Sequence, residues 1–189
     1  MKHCVEFLKR RSLYAGMVFL MLAACAGQEA SAPDMKTASQ ACPQAGKLIG
    51  ASVIPVMEGS PEKPTWQDVK VRGDLRELTG GCRLGKNGSM ETRLYAYFTA
   101  EKTPLAGELK SLRLPYFIAV LGPQEEILQK QRLWVKIDFD KNNMASVVEE
   151  QTMTLPLEAS TSPAAYKIVA GFELTKQQLD LVQGKFFAK

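Results

Sequence analysis

The stretch Met90-Glu-Thr-Arg-Leu-Tyr-Ala-Tyr-Phe98 determines the fold class of this chain. Its apolar or small side chains alternate with charged residues and tyrosines, which is the period of two expected for a strand with one buried face. We therefore predict a strand that buries Leu94 and Phe98 in the core. The same alternation places Tyr95 and Tyr97 on the opposite, outer face, and we take these two tyrosines as a candidate binding surface.

Further strands are predicted on both sides of this stretch. Mixed β-branched, aromatic and polar residues occur in four segments, namely 69–78, 133–139, 147–155 and 166–174. The segment 114–121 is almost continuously apolar, as in a central strand, and Pro115 is expected near its start, where a missing N–H matters least.

Turn residues separate these segments at regular intervals. Asn87-Gly88, Gly122-Pro123 and Lys141-Asn142-Asn143 each predict a hairpin. Seven or eight strands spaced in this way indicate an antiparallel sandwich or barrel, and we expect an all-β, immunoglobulin-like β-sandwich. A capping box at Thr175 to Gln178 adds one short C-terminal helix that ends by Gly184.

The amino terminus has the pattern of a secretory leader. Residues 1–24 contain a basic start and an apolar stretch too short for a spanning helix, which needs roughly 20 apolar residues. Leu22-Ala-Ala-Cys25 resembles the bacterial lipobox, which implies cleavage before Cys25 and acylation of its thiol. Ala26 after the cysteine implies outer-membrane sorting, and we expect a periplasm-facing protein anchored to the membrane by its acyl chains.

The leader divides the chain into three parts and changes its charge. We predict a leader at 1–24, an acylated cysteine with a flexible tether at 25–41, and one domain at 42–189. The whole chain has 24 Lys and Arg against 20 Asp and Glu, but removal of the leader leaves 20 against 19. Because the basic excess belongs to the leader, we expect no nucleic-acid partner.

The leader also contains His3, the only histidine. Its removal excludes histidine-based catalytic triads and histidine-based zinc sites from the mature protein. The free cysteines are reduced to Cys42 and Cys82, since Cys4 leaves with the leader and Cys25 is acylated. In an oxidising envelope this pair predicts a disulfide; the alternative is two buried, unpaired thiols.

One sequence motif has the spacing of a calcium-binding loop. Asp138, Asp140, Asn142 and Glu149 follow the pattern in which alternate oxygen ligands converge on one cation and a distant Glu closes the shell. The flanking segments resemble strands rather than the helices of an EF-hand. A solvated hairpin tip is therefore the favoured interpretation, and calcium is the alternative; no other cofactor is expected.

Enzymatic sites are weakly indicated. The segment 80–87 approaches a phosphate-binding loop but lacks the Ser or Thr that holds magnesium, so we expect no nucleotide. Glu149 and Glu150 could serve a carboxylate-based hydrolase of envelope polymers, but neighbours on a strand point to opposite faces. We expect a protein that is not an enzyme.

Several segments together resemble a family of uncharacterised small bacterial lipoproteins. These are Leu114-Pro-Tyr-Phe-Ile-Ala-Val120, the Gly122-Pro123 turn, Tyr166 to Leu179, Cys42-Pro43 and Cys82. The resemblance implies membership but no activity. We expect a lipid-anchored domain that binds or scaffolds another protein of the envelope, with the calcium module and the hydrolase as alternatives.

Overall fold

A computed structural model describes residues 42–59, 61–85, 89–157 and 161–184. The leader, Cys25 and the tether lie outside the described residues, as does the Asn87-Gly88 turn. The described chain forms eight strands and one α-helix. They are β1 Gln44–Lys47, β2 Val53–Met57, β3 Val69–Leu84, β4 Ser89–Lys102, β5 Ser111–Leu121, β6 Ile127–Asp138, β7 Met144–Pro156, β8 Lys167–Phe172 and α1 Lys176–Val182.

The strands form two four-stranded sheets. The first sheet has the order β1-β8-β5-β6 and the second the order β2-β3-β4-β7. All neighbours are antiparallel except β1 and β8, which run parallel. The predicted fold class, an antiparallel β-sandwich of seven or eight strands with a short C-terminal helix, is confirmed.

The core lies between the sheets and follows the predicted alternation. In β4, Leu94 and Phe98 are buried, whereas Tyr97 on the other face is 39% exposed. Phe98 meets two aromatic rings of the first sheet, Tyr116 and Phe172, at centroid distances of 4.9 and 5.7 Å. This cluster joins the two sheets near their middle.

A disulfide also connects the two sheets. Cys42 lies just before β1 in the first sheet, Cys82 lies in β3 of the second, and the two are bonded with their Cα atoms 5.6 Å apart. The predicted Cys42–Cys82 pairing is confirmed. Together with the core, the bond fixes the amino-terminal end of the domain to the second sheet.

The C-terminal helix begins as its capping box predicts. The Thr175 side chain accepts a hydrogen bond from the Gln178 N–H, and the Gln178 side chain accepts one from the Thr175 N–H. Gln178 Nε2 also donates to the Pro55 carbonyl at 2.8 Å, so the cap attaches α1 to strand β2. Gly184, at φ 68°, follows the helix end.

Two local predictions need correction. Lys141-Asn142-Asn143 does not form a hairpin: β6 pairs with β5 in the first sheet and β7 pairs with β4 in the second, so the segment crosses between sheets. The turn residues permit a reversal but do not select the strand partner.

Pro115 lies inside β5 rather than near its start. It is tolerated there because the pairing of β5 with β8 begins only at Tyr116.

Within the described part of the chain, no helix combines the length and the apolar character needed to cross a bilayer.

Candidate binding surfaces

The predicted tyrosine surface lies on the outer face of the second sheet. Tyr95 and Tyr97 project outward from β4, and β7 places Glu150 opposite Tyr95 and Val148 opposite Tyr97. Val148 is 50% exposed, and Glu150 forms an ion pair with Arg93 at 3.3 Å. We refer to Tyr95, Tyr97, Val148 and Glu150 as the tyrosine surface.

A second surface, which the sequence did not reveal, covers the outer face of the first sheet. Strands β5 and β6 contribute cations and aromatic rings that alternate with core residues. Its members, which we call the basic-aromatic surface, are Arg113, Phe117, Lys130, Arg132, Trp134 and Lys136. Trp134 is 57% exposed, although tryptophan is usually largely buried.

The cations of this surface contact its aromatic rings. The Arg113 guanidinium lies 5.6 Å from the Trp134 ring centre, and the Lys130 ammonium lies 4.3 Å from that of Phe117. Such cation–π contacts contribute roughly 0.5–1 kcal/mol at exposed sites. They hold the long basic side chains against the sheet, so that the charges are ordered before any ligand arrives.

One acidic residue organises the edge of the basic-aromatic surface. Glu173 follows β8 and accepts contacts from Lys130 at 2.7 Å and from Arg132 at 3.4 Å. The hydrogen bond from Lys130 is the main cause that lowers the pKa of Glu173, and burial opposes it. Glu173 therefore stays ionised at neutral pH and fixes both cations.

Like charges face each other on this surface. Arg113 of β5 and Lys136 of β6 are direct cross-strand neighbours, an arrangement that normally destabilises a sheet. Asp138 partly offsets it with an ion pair to Lys136 at 2.8 Å. Because residues 25–189 contain 20 Lys and Arg against 19 Asp and Glu, the concentration of cations here is a property of this face rather than of the whole domain.

The residues of the proposed calcium loop are spread along the β6–β7 connection. Asp138 ends β6, whereas Glu149 lies opposite Ala96 within β7. Five residues of strand separate Glu149 from Met144, or about 17 Å. In the described ranges no three His, Cys, Asp or Glu side chains group as metal ligands would. The loop residues are not brought together, and calcium binding stays a prediction without support from this geometry.

Glu149 instead points toward the interior at the β6–β7 side. Its carboxylate and burial together raise the pKa of Tyr116 to about 12, burial being the larger cause, while Gln151 acts in the opposite direction by hydrogen bonding. The Tyr116 hydroxyl is buried and forms no well-aligned hydrogen bond among the described residues. Tyr116 is thus a core residue.

The carboxylates considered for a hydrolase do not form a pair. Glu149 faces inward and Glu150 outward, as their adjacency on β7 predicts. Glu150 forms its ion pair with Arg93, at 3.3 Å, on the outer face. A glycosidase requires two carboxyl groups that share one cleft, and Glu149 and Glu150 lie on opposite faces of β7.

Cavities in the described domain are modest. One of about 290 Å³ lies beside the Cys42–Cys82 disulfide. Another, of about 380 Å³, lies between α1 and the first sheet and includes Phe117, Lys130 and Glu173. These volumes are at the low end for small-molecule sites, which favours the broad outer faces as the binding regions.

No protein-family model matches this chain, and no curated protein matches it. Among solved structures, the chain is similar to the Streptococcus agalactiae AgI/II polypeptide BspA variable (V) domain. The two are 11% identical, the alignment covers 69% of this chain and 78% of that chain, and the TM-score is 0.16. So low a score supports no conclusion about fold or function; the fold assignment depends on the strand pairing given above.

Proposed function

We propose that this chain is an outer-membrane lipoprotein, anchored through Cys25 and without enzymatic activity, whose domain binds an acidic surface of another envelope protein. We further propose that it belongs to the lipoprotein family whose segments it resembles. The observation that carries the binding role is the basic-aromatic surface. This surface brings four cations and the exposed Trp134 together on one sheet face, and two of the cations contact its aromatic rings.

The chemistry of this surface fits a protein partner. Tryptophan, tyrosine and arginine are enriched at protein interfaces and supply most of their binding energy. The Arg113–Lys136 juxtaposition is unfavourable in the free protein and is relieved when an anionic group lies between the two side chains. Binding of an acidic partner removes this repulsion, and its removal adds to the affinity.

The shape of the surface gives the same preference. Strands β5 and β6 form an open sheet face rather than an enclosed cleft, and Trp134 lies on this face in the edge strand β6. Small ligands bind mainly in concave sites that bury most of their surface. An open surface that combines an exposed tryptophan with arginine side chains is typical of protein interfaces.

The anchor has a direct test. The Cys25→Ser substitution is expected to abolish incorporation of an alkyne-labelled palmitate and to move the protein from the membrane fraction to the soluble fraction, because two or more acyl chains are needed for stable attachment. The Cys42→Ser and Cys82→Ser variants are the controls and should keep the label. Labelling of Cys25→Ser would contradict the assignment.

The binding role is tested by a photo-crosslinking amino acid at Trp134 in intact cells. We expect a discrete adduct with an envelope protein other than a second copy of this chain, and no such adduct when the same amino acid replaces Leu105, which is 50% exposed on the turn between β4 and β5. The double substitution Arg113→Glu, Lys136→Glu is expected to reduce the adduct at least tenfold. Charge reversal at Lys47 and Lys63, which lie outside this surface, is the matched control.

The two double variants distinguish an effect of total charge from an effect of the basic-aromatic surface. An adduct that weakens equally in both would reflect total charge rather than this surface. An adduct that persists at full strength in the Arg113, Lys136 variant would show that the acidic partner model is wrong.

A further inference from the structure

Two long edge strands lie on the same side of the sandwich. Strand β6 has 12 residues and pairs only with β5, and β7 has 13 residues and pairs only with β4. The crossing segment 139–143 joins them, and they contact each other without sharing a sheet. Among the described residues, no strand covers their remaining backbone N–H and C=O groups, which are open to another strand.

The other two edges of the sandwich are protected in the usual ways. Strands β1 and β2 have only 4 and 5 residues. Strand β2 contains Pro55, whose carbonyl already accepts a hydrogen bond from α1 through Gln178. Short edges and proline discourage further pairing. The contrast indicates that β6 and β7 are left open selectively.

Exposed apolar side chains on the open edges support this. Ile127 at the start of β6 is 64% exposed, and Trp134 and Val148 lie on the outer faces of β6 and β7. Strand β6 also carries Lys130, Arg132 and Lys136, and such charges discourage pairing with a second basic edge. Both edges therefore combine unpaired backbone with apolar contact area.

The two edges carry opposite charge. Strand β6 contains Lys130, Arg132 and Lys136 against one acidic residue, whereas β7 contains Glu149 and Glu150 and no basic residue. Two β6 edges would bring cations together, and two β7 edges would bring carboxylates together. Only the β6–β7 combination places opposite charges across the seam.

We propose that two copies of this chain form a dimer in which β6 of each pairs with β7 of the other. Strands β6 and β7 are consecutive and run in opposite directions, so a twofold axis parallel to them generates two antiparallel β6–β7 seams at once. The contact is isologous and closed, and it leaves neither long edge exposed. The second copy is the partner because it supplies both the acidic and the basic edge.

One register matches both charge and apolar character. Placing Arg132 opposite Glu150 of the second copy also places Trp134 opposite Val148 and Gln131 opposite Gln151. All of these pairs lie on matching faces, the first two outside and the third inside. The 12- and 13-residue strands then overlap almost completely, so few backbone groups stay unpaired.

The dimer has a structural consequence for the binding surfaces. In one copy, the tyrosine surface and the basic-aromatic surface lie on opposite outer faces of the sandwich. Across a β6–β7 seam, the first sheet of one copy continues into the second sheet of the other. The basic-aromatic surface of one chain and the tyrosine surface of its neighbour then form a single face.

The seam is tested in the envelope with full-length protein. Two differently tagged chains, one carrying Arg132→Cys and the other Glu150→Cys, are co-expressed and treated with a short bis-maleimide. We expect a crosslinked product that contains both tags, and none when both chains carry Arg132→Cys or both carry Glu150→Cys. A product in the Arg132→Cys pair alone would instead indicate β6–β6 pairing and overturn the proposal.

Charge exchange provides the second arm. Arg132→Glu and Glu150→Arg are each expected to raise the dimer dissociation constant of detergent-solubilised full-length protein at least fivefold by light scattering, and the double exchange in one chain is expected to restore it. Unchanged far-ultraviolet circular dichroism spectra verify that the variants fold. A wild type that stays monomeric, or a dimer that neither single variant weakens, would refute the β6–β7 seam.

Discussion

The Phe98→Ala substitution is expected to lower the free energy of unfolding by about 3 to 5 kcal/mol, the range for removing a buried aromatic side chain. Phe98 is 1% exposed and comes from the second sheet, whereas the rings it contacts, Tyr116 and Phe172, come from the first. Its removal leaves a cavity between the sheets and ends both inter-sheet ring contacts. Urea unfolding followed by near-ultraviolet circular dichroism measures the loss.

The neighbouring Tyr97 is the matched control. It lies on the same strand, has a similar size and faces solvent on the outer side of the sheet. Tyr97→Ala is expected to cost less than about 1 kcal/mol, as for most surface substitutions. Equal losses for the two variants would mean that the ring cluster is not the centre of the core, because burial would then not determine the cost.

The alternation in residues 90–98 was sufficient to predict which face of β4 is buried. Alternating residues of a strand lie on two faces, and the charged residues Glu91 and Arg93 indicate which face of β4 is exposed to solvent. The disulfide was equally accessible, since counting cysteines after removal of the leader and Cys25 left a single pair. Local pattern and counting therefore fixed the fold class and the inter-sheet bond.

Strand partners were less accessible. A hairpin and a crossing between sheets are both compatible with Lys141-Asn142-Asn143. Turn propensity predicts that the chain reverses, but it does not predict which strand the next strand pairs with. Here β6 pairs with β5 and β7 pairs with β4, and these partners lie about 20 to 50 residues before the turn. No signal within the turn itself reports those distant contacts.

The basic-aromatic surface was missed for the same reason. Arg113 and Trp134 lie in different strands and come into contact only once the register of β5 against β6 is fixed. Alternation of Lys130, Arg132, Trp134 and Lys136 along β6 was a usable signal in the sequence. It indicates a strand whose outer face is basic, and it was obscured because the leader dominated the charge count of the whole chain.

The proposed dimer and the proposed partner site make separate demands on this surface. Partner binding requires the Arg113–Lys136 pair, whereas the seam requires Arg132, which lies four residues before Lys136 on β6. A variant that loses the Trp134 adduct but keeps the β6–β7 crosslink would therefore separate the two roles. If the wild type shows both the adduct and the crosslink, the face that binds the partner is formed by two chains.

Removing the disulfide is expected to have the second largest effect on stability. Cys42 and Cys82 are 40 residues apart, and the loop they close contains β1, β2 and most of β3. In the chain-entropy description a loop of this length stabilises the folded state by about 3 to 4 kcal/mol, because it restricts the unfolded chain. The paired substitution Cys42→Ser, Cys82→Ser should lower the free energy of unfolding by that amount in urea.

Reduction of the wild type provides an independent measure of the same bond. Wild-type protein unfolded in the presence of dithiothreitol should match the double variant, whereas dithiothreitol should leave the variant itself unchanged. The bond constrains the amino-terminal end of the described domain, so its loss should expose β1 to proteolysis before β4. A double variant as stable as the oxidised wild type would show that the bond adds no stability beyond that of the core between the sheets.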